Sequence, residues 1–152
     1  GIPVHINMSV FSGLILGVRW SLVAAFIVNF MLALFGHGGI TIVGLNTLIV
    51  WVEAVVGKMI FQFLRKFVRD FVAVGLSTFL ALIFSALVVF GVIAVSAVEP
   101  SRFSHFGNHL EISLKTYASI MLPMVVFSAI IEAVVTASLM EYIKKVKPEV
   151  LE

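Results

Sequence analysis

Four histidines and two glutamates carry the chemistry that this sequence offers. His5, His37, His105 and His109 are its only imidazoles, and there is no cysteine. Neutral imidazole is a common ligand for Zn, Cu, Fe and Ni, so the histidines are candidates for a divalent transition-metal site. Without cysteine, disulfides and thiolate metal sites are excluded. Glu53 and Glu132 each stand inside a long apolar run. An ionised carboxylate there costs about 2.5–3.5 kcal/mol to insert, so each is expected to face other helices. One reading makes them part of a cation path or relay. The plainer reading is an interhelical hydrogen bond, with Asn29, Asn46, Thr47 and Thr136 as the available partners.

The positions of the histidines separate them. His105 and His109 fall in a polar stretch, residues 99–115, where i,i+4 spacing binds metal only if the stretch is truly helical; solvated loop residues are the plainer expectation. His5 precedes the first apolar run, and His37 sits in the turn FGHGGITIVGLNT at residues 35–47. That turn has Gly36, Gly38, Gly39 and Gly44, which allow a sharp reversal and close backbone approach to a small group. It reads as a hairpin between two membrane helices with a polar apex at His37 and Asn46.

The elements that position these residues are membrane helices. The chain of 152 residues is 61% hydrophobic and 12% charged, with a mean hydropathy of +1.18. Soluble domains are about 45–50% apolar and about 25% charged. Residues 71–98 hold no charged side chain, a run of 28. A spanning helix needs only about 20 residues. No ten-residue block alternates at period two, which argues against a barrel and for an all-α integral membrane bundle of about four to five transmembrane or near-transmembrane helices. We expect one membrane domain over residues 1–152.

In chain order, residues 1–7 read as a loop and 8–17 as a short helix carrying Gly13-x-x-x-Gly17, a small-residue face that suits contact with a partner subunit. Arg19 and Trp20 read as interface residues. Further helices are expected over 21–35, 41–63, 71–98 and 116–143, with Asp70 capping the one that starts at 71. Alternating sides along this order puts Arg19, Lys58, Arg65, Lys66, Arg69, Lys144, Lys145 and Lys147 on one face. Only Arg102 and Lys115 fall on the other. By the positive-inside rule the first face is cytoplasmic, and all four histidines then face outward.

Several function classes drop out. A net charge of +2 is too small to suggest a nucleic-acid partner. The chain has no H-E-x-x-H helix, G-x-S-x-G elbow or phosphate loop, so no enzyme is indicated. A membrane protein without nucleotide-binding machinery either acts passively or draws energy from partners. The chain starts at Gly1 rather than Met, which raises the expectation that it is one piece of a longer polypeptide.

The run VHINMSVFSGLILG at residues 4–17, a Trp-containing helix, and then FGHGGITIVGLNT resemble the CbiM/NikM family. The end of the chain, IEAVVTASLMEYIKKVKPEVL at residues 131–151, is also similar to that family. These are the substrate-capturing membrane components of cobalt and nickel transporters of the energy-coupling-factor type. The resemblance implies a helical bundle of the prokaryotic cell membrane that binds Co²⁺ or Ni²⁺ as substrate at its outer face, with no organic cofactor. It implies as partners a transmembrane coupling subunit, cytoplasmic ATPase subunits and a small accessory membrane subunit.

In the family, an amino-terminal Met-His segment supplies most of the ligands and a histidine just before a helix supplies the last. By resemblance His5 is that last ligand, and His37, Asn46 and Thr47 are candidates to support it through hydrogen bonds. By the resemblance, the Met-His segment and roughly the first two helices are expected outside this stretch, whether on the same polypeptide or on another. The family's His-x-Pro before the last-helix glutamate is also missing, although Pro123 stands nearby. An all-nitrogen, square-planar ligand set suits Ni²⁺ or Cu²⁺, and Co²⁺ is hard to exclude by affinity. The alternative function is a non-transporting subunit that scaffolds a membrane complex. An intramembrane enzyme using Glu53 or Glu132 would be a third, without a nucleophile to support it.

Overall fold

The computed structural model of the protein describes residues 7–36, 39–97 and 114–148. Among these residues every regular element is helical. The order is α1 (Ser9–Leu34), a 3-10 turn (Ile40–Ile42), α2 (Val43–Leu64), α3 (Asp70–Ala97) and α4 (Leu114–Val146). Four helices are long and apolar enough to cross a membrane. The all-α bundle expected from composition is therefore the fold.

The two helices read at 8–17 and 21–35 join in α1, but not as one straight rod. Gly17 adopts φ 79°, ψ 167°, outside the helical region, so two arms, 9–16 and 18–34, meet there. Glycine tolerates that positive φ where a Cβ would strain it. Arg19 and Trp20 lie just beyond the break, at the start of the second arm, and both are exposed. The side chain of Lys58 reaches beside Gly17. The indole Nε1 of Trp51 donates to the Val18 carbonyl at 2.8 Å and ties the second arm to α2. Gly36 and Gly39, both at positive φ, open and close the turn after α1.

Helices pack in sequence order, α1 on α2, α2 on α3 and α3 on α4, with little contact of α1 with α3 or α4. The packing is built on small residues. A Cβ on Gly13 would lie 2.7 Å from the Ala54 carbonyl oxygen, and one on Gly57 would lie 2.5 Å from a Val10 methyl. Gly75 faces Ala133 and Ala137 across α3 and α4. Val10, Leu14, Phe61, Val74 and Met140 fill the space between these contacts. Large side chains such as Phe26, Ile27, Phe63 and Phe127 are exposed. In lipid, hydrocarbon outside is as apolar as leucine inside, so close backbone approach rather than expulsion of apolar surface holds helices together.

Asp70 is the first residue of α3, in the first turn where a carboxylate complements the helix dipole. Its carboxylate is also paired with Lys144 near the end of α4. Pro123 sits inside α4, which continues through it. Membrane helices tolerate such a proline because neighbours satisfy the freed carbonyl.

Candidate functional site

A cavity of about 310 Å³ lies among α2, α3 and α4, roughly midway along all three. Its walls are largely apolar, with Leu82, Val89 and Phe90 from α3 and Leu122 and Val125 from α4. Its polar groups are Asn7, Glu53, Ser85, Ser128 and Glu132. The two intramembrane glutamates, 79 positions apart in the chain, thus line one space. Glu53 is 5% exposed and Glu132 is 2% exposed.

Each carboxyl has a partner that sequence spacing did not suggest. The hydroxyls of Ser85 and Ser9 flank Glu53. Oε2 of Glu132 accepts the backbone N–H of Asn7 at 3.1 Å. Of the partners expected from the sequence, Asn29 instead donates to Ala25 within its own helix. The hydroxyls of Thr47 and Thr136 are buried and have no hydrogen bond among the described residues. The same holds for Oε2 of Glu53 and the hydroxyl of Ser9. Buried polar atoms without a partner are uncommon, and of these Glu53 lines the cavity itself.

The α3 contribution had a legible trace. Thr78 and Ser85 stand seven residues apart in the charge-free run 71–98, on one helix face, and both are buried. Asn7 had no such trace. Its role comes from a reversal at Met8, which holds φ 50°, ψ 29°, a left-handed conformation rare outside glycine.

The other expected site residues are placed as follows. Asn46 and Thr47 are in the first turns of α2, half-buried and buried respectively. Gly13 packs on Ala54, so α2 of the same chain occupies its close-approach surface, while Gly17 forms the break in α1. His5, His37, His105 and His109 lie outside the described residues. Among the described residues, no group of three or more His, Asp or Glu side chains is arranged to hold a metal ion. The cavity offers two carboxyls and hydroxyls, which are oxygen donors, rather than the nitrogen donors expected of a nickel or cobalt site.

The arrangement is a largely apolar pocket among membrane helices, with two buried carboxyls on its wall. Residues 1–150 match the family model CbiM, described as the cobalt uptake substrate-specific transmembrane region. No curated protein and no solved structure gives a significant match. The match covers nearly the whole chain, and the all-helical membrane bundle agrees with it: the chain belongs to the CbiM family, the transmembrane components of cobalt uptake.

Proposed function

We propose that this protein is the substrate-binding component of an ATP-driven cobalt or nickel uptake transporter. It captures Co²⁺ or Ni²⁺ at the outer face of a prokaryotic cell membrane and works with a coupling subunit and cytoplasmic ATPases. The observation that carries the reading is the family match over residues 1–150. His5 is the metal ligand this chain supplies. Nitrogen ligation suits both cations, and neither is favoured by the residues present. His37, Asn46 and Thr47 support the site from the turn before α2 and from its first residues.

Sidedness follows from charge. Arg65, Lys66 and Arg69 in the α2–α3 connection, and Lys144, Lys145 and Lys147 at the end of α4, mark the cytoplasmic side. Lys58 beside Gly17 and the exposed Arg19 support a reading in which the break in α1 lies toward that side as well. The second arm of α1 then leads outward to the turn that holds His37.

Calorimetric titration of the detergent-purified chain with Co²⁺ and with Ni²⁺ tests the reading, alongside its His5→Ala variant. Saturable binding that is lost in His5→Ala supports metal capture through this residue. Equal, weak heats in both proteins would sink it and leave the scaffolding subunit as the better account.

A further inference from the structure

Basic residues that are far apart in the chain meet at one end of the bundle. Arg65, Lys66 and Arg69 lie in the connection between α2 and α3, and Lys144, Lys145 and Lys147 lie at the end of α4. The pair of Lys144 with Asp70, 74 positions apart, brings the two groups together. A cleft of about 400 Å³ runs between them, with Arg69, Asp70 and Lys144 beside the apolar Phe71, Val72 and Met140. A second cleft, of about 580 Å³, shares Arg69 and Val72 with the first and adds Arg65, Lys66 and Phe67.

The carboxylates of the first cleft are already engaged. Asp70 is paired with Lys144, and Glu141 stands 3.9 Å from Lys145. Lys66 and Arg69 are exposed and have no carboxylate partner among the described residues. Phe67, Phe71 and Val72 are exposed as well, Phe67 to 71%. Cations interleaved with exposed apolar side chains, at the ends of helices that cross a bilayer, make a surface suited to lipid.

We infer that the junction of the α2–α3 connection with the end of α4 is a binding site for an anionic phospholipid. Its phosphate is held by Arg69 and Lys66, and its apolar part lies along Phe71 and Val72. Arginine suits phosphate because its planar fork can give two parallel N–H bonds, and lysine adds a point charge. The neighbouring cations raise the local attraction for an anionic headgroup, and the carboxylates that would oppose it are occupied by Lys144 and Lys145. The apolar side chains favour a lipid over a soluble phosphate, because a free anion gains nothing from Phe71 or Val72. None of these residues supplies or supports a metal ligand in the proposed function, so the inference stands apart from metal capture.

The test is titration of the detergent-purified full chain with dioctanoyl phosphatidylglycerol, with bound lipid read by native mass spectrometry. Dioctanoyl phosphatidylcholine is the zwitterionic lipid of equal chain length, and glycerol 3-phosphate is the free phosphate. The variants are Lys66→Gln with Arg69→Gln in one chain, and Arg19→Gln, an exposed cation that lines neither cleft. All three positions are exposed, and thermal unfolding without lipid checks that each variant keeps the parental fold.

We expect phosphatidylglycerol to bind saturably and roughly tenfold or more tighter than phosphatidylcholine. The double variant should lose roughly tenfold or more of that affinity, and Arg19→Gln should bind like the parent. Equal binding of the two lipids would overturn the inference and leave the patch as a surface for an acidic protein partner. Equal losses in Arg19→Gln and the double variant would also overturn it, because diffuse surface charge would then explain the binding. Displacement of the lipid by equimolar glycerol 3-phosphate would overturn it in favour of a soluble-phosphate site.

Discussion

Gly13 and Ala54 approach so closely that a Cβ on Gly13 would sit 2.7 Å from the Ala54 carbonyl oxygen and 3.0 Å from its Cβ. Both obstacles belong to α2 and one is backbone, so neither can rotate aside. The face that a partner helix might use from outside is thus part of the chain's own α1–α2 contact. Small residues at this spacing allow helix approach, but spacing does not say which helix approaches.

Gly13→Ala should destabilise the protein by about 1–3 kcal/mol through overpacking. Gly44→Ala, at a position with open space around it in α2, is the contrast. There the gain in helix propensity, about 0.5–1 kcal/mol, should appear without a clash. Unfolding midpoints in detergent measure both. A Gly13→Ala midpoint at or above that of Gly44→Ala would show that the α1–α2 contact is looser than described.

Gly17 differs in kind. Its φ of 79° makes any Cβ unfavourable, although the nearest obstacle is the flexible end of Lys58, at 3.9 Å. Gly17→Ala should cost about 1–3 kcal/mol from backbone conformation alone. Because the strain is in the backbone, shortening Lys58 to Ala in the same chain should not relieve it. Recovery of stability in that double variant would point to sterics instead.

Trp51 reports on the same break. Its indole N–H to the Val18 carbonyl is a 2.8 Å bond joining α2 to the second arm of α1. Trp51→Phe should lower stability by about 1 kcal/mol, the usual net value of one hydrogen bond. Trp20, by contrast, is 67% exposed, and Trp20→Phe should leave the midpoint unchanged. Equal effects of the two substitutions would contradict the assignment of Trp51 as the tie.

Glu53 carries a buried oxygen without a hydrogen bond among the described residues, against apolar walls. Replacing such a group with an apolar one of similar size removes a desolvation penalty of about 1–3 kcal/mol. Glu53→Met should therefore raise the unfolding midpoint. A fall would mean that the contacts of the carboxyl with the hydroxyls flanking it outweigh that penalty.

The Lys144–Asp70 pair joins the start of α3 to the end of α4, with side chains 49% and 32% exposed. At that exposure the pair should contribute about 0.2–1 kcal/mol. A double-mutant cycle of Lys144→Ala and Asp70→Ala should give a coupling of that size, shrinking with added salt. A coupling that ignores salt would argue against an ion pair.

Much of this protein was legible in its residues because lipid imposes simple rules. Apolar runs of sufficient length must be helices, since the bilayer offers no other partner for the backbone. That logic anticipated α2, α3 and α4 to within a few residues at nearly every end, and placed a glycine-rich stretch with Gly36 and Gly39 between two helices. It also marked residue 17 as a boundary, although the arms on either side form one broken helix. The motifs at residues 4–17 and 35–47 carried the family, which the match over residues 1–150 bears out.

What periodicity could not supply was who meets whom across the bundle. In a membrane helix most faces are apolar, so the pattern that marks the buried side of a soluble helix is faint. Glu53 and Glu132 were visible as costly residues, but not as neighbours in one cavity. Ser85 stands beside Glu53 and the backbone N–H of Asn7 meets Glu132, in place of the Asn and Thr residues that composition put forward. Backbone donors have no signature in sequence, because every residue but proline carries one. Composition and lipid physics decided the helices; only tertiary packing decided which buried carboxyl would meet which donor, because that depends on the registry of helices far apart in the chain.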